Sequence, residues 1–229
     1  MPRQTPITLN HFAIVRFTDA YWALAPAARA ALRRVWLHGV GATAEALHLY
    51  QLFGLEACHD LVVWTAVRAT EPGVPGDFFA RWAAAFAPHR HLVAVSATLW
   101  GFTRPSQYTR TRSIQELDPF APERQPYLVV YPFVKTAGWY GLDRATRQGL
   151  MGEHIKSGKQ YPDITQLLLY SYGLQDQEFV VVYEMQDLLR FLNLVQELRA
   201  TRARPYTQRD WPLHAGRLQR GLTDLDPWL

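Results

Sequence analysis

Residues 127–184 read YLVVYPFVKTAGWYGLDRATRQGLMGEHIKSGKQYPDITQLLLYSYGLQDQEFVVVYE, and this stretch decides the fold. The apolar run Leu128–Val134 is rich in Val, Tyr and Phe and is stopped by Thr136-Ala137-Gly138, which predicts a strand. Leu142–Lys159 follows with helical spacing, and two more strand-like runs come after it, Ile164–Tyr172 and Glu178–Tyr183. Near the end of the helix sits His154, with Leu150 and Met151 one turn back and Gly158 one turn on. That spacing places His154 on the apolar face of an amphipathic helix, turned toward the sheet. An imidazole there is either a satisfied core histidine or an axial ligand to something held between helix and sheet.

The remainder of the second half completes a pattern. Leu188–Thr201 is helical, with Leu189, Phe191, Leu192, Leu194, Val195 and Leu198 at apolar positions, and Trp211–Arg217 reads as a last strand. The first half has the same order. His11–Phe17 is a strand and Leu24–Trp36 a helix; Leu47–Phe53 and Asp60–Ala66 are strands. Asp77–Phe86 is a second helix and Leu92–Phe102 a closing strand. The run DLVVWTAV from Asp60 is answered by EFVVVYEM from Glu178, so the chain reads as two β-α-β-β-α-β units. The fold class expected is therefore α+β, with two ferredoxin-like repeats: residues 1–110, a linker over 111–126, and residues 127–229. One such sheet covers only one of its faces with helices. Two of them cover each other's open faces in an α+β barrel.

Composition sets the class. A chain of 229 residues that is 48% hydrophobic and 19% charged supports a packed core and excludes a disordered protein. The net charge is +4, but the arginines are dispersed and no nucleic-acid motif accompanies them, so no nucleic-acid partner is expected. A single Cys58 rules out an internal disulfide and fits a reducing compartment; with no signal segment and no membrane span evident, a cytoplasmic location is expected. Cys58-His59 alone is not a zinc motif, and His11, His48 and His91 fall on strand positions while His38, His59, His89 and His214 fall near turns. Phosphate-binding glycine loops and nucleophile elbows are absent from the sequence.

Several motifs in order carry a resemblance: YPFVKTAGWY at Tyr131–Tyr140, Glu153-His154, Tyr161-Pro162, GLQDQEF at Gly173–Phe179 and LVQELRATRAR at Leu194–Arg204. Together with TLWGFTRPSQY at Thr98–Tyr108, they resemble the chlorite dismutase family of haem proteins, which also contains the coprohaem decarboxylases. The resemblance implies a dimeric α+β barrel subunit, haem in the C-terminal half and a homopentamer, with His154 as the proximal iron ligand. The distal arginine of chlorite-decomposing members aligns with Gln166, whose neutral amide cannot supply a fixed positive charge. A glutamine there is similar to one group of coprohaem decarboxylases. So is Tyr131, which aligns with a tyrosine that acts as a radical beside a propionate; read from its residues alone, Tyr131 is equally an aromatic strand residue chosen for packing.

By the same resemblance Lys135 lies near the porphyrin edge and Trp139 and Tyr140 line the pocket. No histidine lies in Tyr108–Ser113, where another decarboxylase group carries a distal one. The nearest match is Arg112, which is suited to a porphyrin carboxylate. The family's usual acidic partner of the proximal imidazole falls near Arg202-Ala203, where no acid stands. The function implied is peroxide-dependent decarboxylation of iron coproporphyrin III to haem b, with the porphyrin as both substrate and redox centre. The alternatives are a chlorite dismutase or peroxidase-like enzyme using haem b, and a non-catalytic haem carrier or sensor.

Overall fold

The structure, a computed structural model, describes residues 7–108 and 114–229. In the first half β1 (Thr8–Phe17) is followed by a one-turn helix α1 (Asp19–Trp22) and by α2 (Pro26–Gly41). Then come β2 (Ala46–Gln51), β3 (Leu61–Arg68), α3 (Val74–Phe86) and β4 (Val93–Phe102). The second half runs β5 (Tyr127–Lys135), α4 (Ala137–Gly141), α5 (Arg144–Gly158), β6 (Thr165–Tyr170), β7 (Phe179–Met185) and α6 (Leu188–Ala200), then β8 (Thr207–Arg209) and β9 (His214–Gln219). Each half lays its four main strands in the same order, β4-β1-β3-β2 and β9-β5-β7-β6, all antiparallel. The two ferredoxin-like repeats expected from the sequence are present.

The repeats join at two seams, β4 against β6 and β2 against β9, and the pairing of β7 with β5 closes the ring. Both seams depend on a glycine. A Cβ on Gly101 of β4 would stand 2.5 Å from Ser171 Oγ and 2.7 Å from the Tyr170 carbonyl; one on Gly216 of β9 would stand 2.8 Å from Tyr50 Cβ. Real Cβ atoms do not approach that closely, so hydrogen lets the strands meet. Inside the ring, alternate residues of both halves build one core. Phe12, Ile14, Val62 and Trp64 meet Leu128, Val130, Leu167, Leu169, Val180 and Val182 there. Every strand's other face turns outward, toward the helices.

Boundaries moved where local chemistry intervened. The helix expected from Leu142 begins after Asp143, whose carboxylate accepts the Thr146 N–H at 2.9 Å as an N-cap, and a separate turn, α4, precedes it. The last strand, expected over Trp211–Arg217, starts at His214, because Pro212 has no N–H to give a ladder. His214 is therefore a strand residue and His91 a turn residue, the reverse of the sequence reading. The first long helix runs on to Gly41, since nothing after Trp36 breaks it.

Candidate functional site

On the outward face of the second repeat, register sets three cross-strand rows. Val129, Tyr183 and Gln166 form one, Tyr131, Val181 and Leu168 the next, and Phe133, Phe179 and Tyr170 the third. Tyr131 and Gln166 thus share one face in adjacent rows, although the sequence separates them by a helix. The Tyr131 and Tyr183 rings lie nearly parallel, 6.4 Å apart. Burial pushes the Tyr131 hydroxyl well above the usual phenol range, and Tyr183 and Asp210 add to the rise; burial likewise lifts Tyr183 to about 12. Leu168, on the same face, is 44% exposed. The backbone of Gln166 is pinned by Gln115 and Leu117, its N–H donating to the Gln115 carbonyl at 2.8 Å and its carbonyl accepting from Leu117 N–H at 2.9 Å. Its side chain is exposed.

Helix α5 buries none of its residues. Arg147, Leu150, Met151, His154, Ile155 and Gly158 form a half-buried stripe along one side, so His154 does lie on the expected face, but that face is not sealed against a core. Enclosure lowers the His154 imidazole to about 4, and the charge of Lys135 contributes to the shift, so the ring is neutral at pH 7 with a lone pair to give. Lys135 ends β5 with its Nζ 4.3 Å from the Trp139 ring centroid and 5.1 Å from that of Phe133. Burial pulls its ammonium down to about 8; Glu178 opposes that shift, and Arg204 adds to it.

The sequence-predicted residues separate into groups. Tyr131 and Gln166 share the outward sheet face on strands either side of β7, and the charge of Lys135 reaches His154 on the helix. Trp139 is buried beneath Lys135 and against Tyr206, whose ring centroid is 5.8 Å away. Tyr140 is exposed and shares a 2.9 Å hydrogen bond with Tyr172; burial raises its hydroxyl's pKa, and Tyr172 and Glu178 add to the rise. Arg112 lies outside the described residues. At the position of the missing acidic partner, Ala203 is buried while Arg202 bonds Glu153, the neighbour of His154, at 2.6 Å.

Sequence reasoning passed over Arg147, Glu178, Tyr183 and Asp210. Arg147 sits two turns before His154 on the same side, a spacing visible in the sequence, and its Nε is buried without a hydrogen-bond partner. Glu178 accepts the Lys135 backbone N–H at 2.7 Å and so fixes the end of β5. Asp210 accepts from Arg204 at 2.5 Å beside the Tyr131 face. An iron porphyrin with carboxylate arms fits this donor set. A neutral imidazole suits the iron, an apolar sheet face of Val181, Leu168, Phe133 and Phe179 suits the ring, and Lys135 and the unpartnered Arg147 Nε suit the carboxylates.

Among the described residues, no helix is long and apolar enough to cross a membrane. A coproheme decarboxylase of Mycolicibacterium smegmatis is 28% identical over 175 residues, which cover 73% of this chain and 71% of that protein. One from Staphylococcus carnosus is 32% identical over 113 residues, 47% of this chain and 45% of that protein. The crystal structure of a candidate chlorite dismutase superposes with a TM-score of 0.79 at 26% identity, covering 99% of this chain and 100% of the other. The chlorite dismutase of Candidatus Nitrospira defluvii, solved with imidazole, gives 0.77 at 22% identity over 96% and 94% of the two chains, a likeness of fold. The family model described as chlorite dismutase matches residues 25–219, and the chain belongs to the chlorite dismutase family of haem-dependent enzymes.

Proposed function

We propose that this protein is a coprohaem decarboxylase, converting iron coproporphyrin III to haem b at the expense of hydrogen peroxide. The observation that carries the reading is Tyr131: an enclosed phenol beside Tyr183, one row from the neutral Gln166, on the outward sheet face of the repeat whose helix carries His154. The similarity to two coproheme decarboxylases supports it. For each propionate, the carboxylate, one peroxide and one proton become a vinyl group, carbon dioxide and two waters.

His154 would hold the iron through its neutral nitrogen, and Lys135 and Arg147 would take porphyrin carboxylates. The bound iron supplies the two-electron reduction of peroxide. Tyr131 would give up its hydroxyl hydrogen and then take one from a propionate β-carbon. Burial raises its pKa, so the hydroxyl carries its hydrogen at neutral pH. Gln166 would offer an amide hydrogen bond on the distal side without the guanidinium charge that would stabilise an oxychlorine anion. Trp139 would form the floor under Lys135, and Tyr140 the outer rim.

Mass spectrometry of coprohaem after peroxide addition tests this. The natural protein should lose two carboxyl groups in steps. Tyr131→Phe should still bind the porphyrin within a few-fold, because one hydroxyl contributes only about 0.5–1.5 kcal/mol. Its decarboxylation rate should fall by about 100-fold or more, the scale expected when a hydrogen-transferring group is removed. Haem b formed by the Phe variant at the natural rate would sink the proposal.

A further inference from the structure

Among the described residues, one group of side chains outside the candidate haem site has the chemistry of a metal centre. Glu56, His59 and His214 bring one ligand atom each to within 4.8 Å of one another. His59 Nδ1 is 2.8 Å from Glu56 Oε2, and His214 Nδ1 is 3.1 Å from Glu56 Oε1 and 3.3 Å from Oε2. The two imidazole rings stand 5.3 Å apart, edge to face. Around a tetrahedral zinc, bonds of about 2.0–2.1 Å put neighbouring donor atoms about 3.3 Å apart. Each histidine nitrogen already stands 2.8–3.3 Å from a Glu56 oxygen, near that spacing, and the three donors lie within 4.8 Å of one another.

The positions are also held. Glu56 is carried by a tight turn in which Leu55 and Glu56 N–H both donate to the Leu52 carbonyl, at 2.8 and 2.9 Å, and Gly54 supplies a φ of 92°. Leu52 and Phe53 in turn donate to the Asp60 carbonyl. His214 opens β9, paired with Val130 of β5, and its side chain is 3% exposed. Glu56 and His59 side chains are 23% and 21% exposed, so one side of the cluster opens to solvent. Three protein ligands with one open position is the arrangement that leaves a coordination place for water. Two imidazoles and one carboxylate select a borderline divalent transition ion over calcium or magnesium, which prefer oxygen.

We propose that Glu56, His59 and His214 form a zinc-class binding site that ties the β2–β3 turn of the first repeat to β9 of the second. This holds independently of the porphyrin chemistry. The metal would fasten the repeats beside the β2–β9 seam, where only three residue pairs are bonded.

The test is calorimetric titration of the chelator-dialysed full-length protein with zinc chloride, run with and without coprohaem, and a parallel cobalt(II) titration followed by visible absorbance. One zinc per chain should bind in both states. Glu56→Gln and His59→Gln should each weaken binding by tenfold or more, while a change at the exposed His91, His91→Gln, should leave it unchanged. Cobalt should show ligand-field bands of a nitrogen–oxygen site. Three results would overturn the assignment: no saturable zinc binding by the natural protein, affinity unchanged in both variants, or a thiolate-to-cobalt band that disappears in Cys58→Ser. The first would leave Glu56 as the centre of an ion-pair triad and nothing more.

Discussion

In the first repeat α2 lays Trp36, Leu37 and Val40 onto Ala13, Val15, Leu61 and Val63, and Phe86 of α3 completes a closed core. In the second, α6 sets Phe191 and Leu194 on Val129, Tyr183 and Met185 in the same way, but no residue of α5 is fully buried. The strand order is identical; the covering is not. The side chains explain the difference. The inner stripe of α2 is built of Trp36, Leu37 and Val40 with one buried arginine, Arg33, whose guanidinium is paired with Asp226 and bonds Tyr21, whereas that of α5 carries Arg147, His154 and Gly158 among its apolar positions and leaves Arg147 Nε without a partner. A duplicated unit can give up burial on one helix because the ring closure and the barrel interior, common to both halves, stabilise it from the other side. The repeat whose helix was left unsealed is the repeat that gathers the candidate site.

Three comparisons would break or sharpen this contrast. The largest effect belongs to the sealed side. Trp36→Ala removes a fully buried indole and should destabilise the fold by about 3–5 kcal/mol in urea unfolding. His154→Ala, on the unsealed helix, should shift the same curve by about 1 kcal/mol or less, and abolish porphyrin ligation in the absorbance spectrum. Equal losses of stability would mean that α5 is packed as tightly as α2.

Next in size is the seam. Gly101→Ala should cost about 1–3 kcal/mol, because the added methyl displaces the Ser171 hydroxyl from its bond to the Trp100 carbonyl and meets the Tyr170 carbonyl, a backbone atom that cannot withdraw without opening β4 from β6. Gly149→Ala, on the exposed side of α5 with nothing within 4 Å of a Cβ, should be neutral or stabilising by up to about 1 kcal/mol. A melting temperature unmoved by Gly101→Ala would show that the seam is looser than its geometry.

The smallest effect separates two histidines that share a pKa for different reasons. His11, packed against Phe78, Phe79 and Trp82, is held down to about 4 by burial alone, whereas at His154 the charge of Lys135 adds to burial. In both cases the folded value lies below the ordinary 6.5. Between those pH values the unfolded chain takes up a proton that the folded chain refuses, and stability falls as pH drops through that window. Lys135→Gln in porphyrin-free protein should raise the His154 value and leave His11 where it is, followed by NMR titration of the ring protons. A parallel rise at both would mean that the substitution loosens the fold as a whole.

The apolar runs at Leu128–Val134 and Phe179–Tyr183, and the apolar stripe of Leu188–Thr201, were legible because composition, propensity and helical period are local properties of the chain. The doubling of β-α-β-β-α-β was legible for the same reason. His154 could be placed on a helix face by spacing, and the family motifs pointed to Tyr131 and Gln166. The spacing could not say that no residue of α5 would be fully buried, since burial depends on what stands opposite. Nor could it bring Tyr131 into the row beside Gln166, which follows from the register of β5 and β6 against β7. His214 illustrates the limit most plainly. Taken in sequence it is a histidine beside a proline-containing turn, far from Cys58-His59, and no short motif connects them. Closure of the ring pairs β9 with β2 and β5, and that long-range register carries His214 to Glu56 and His59. Sequence determined which segments form strands and helices, because backbone preference and side-chain alternation act over a few residues. Tertiary structure alone decided which chemically active side chains meet, because contact across strands is set by closure of the whole sheet.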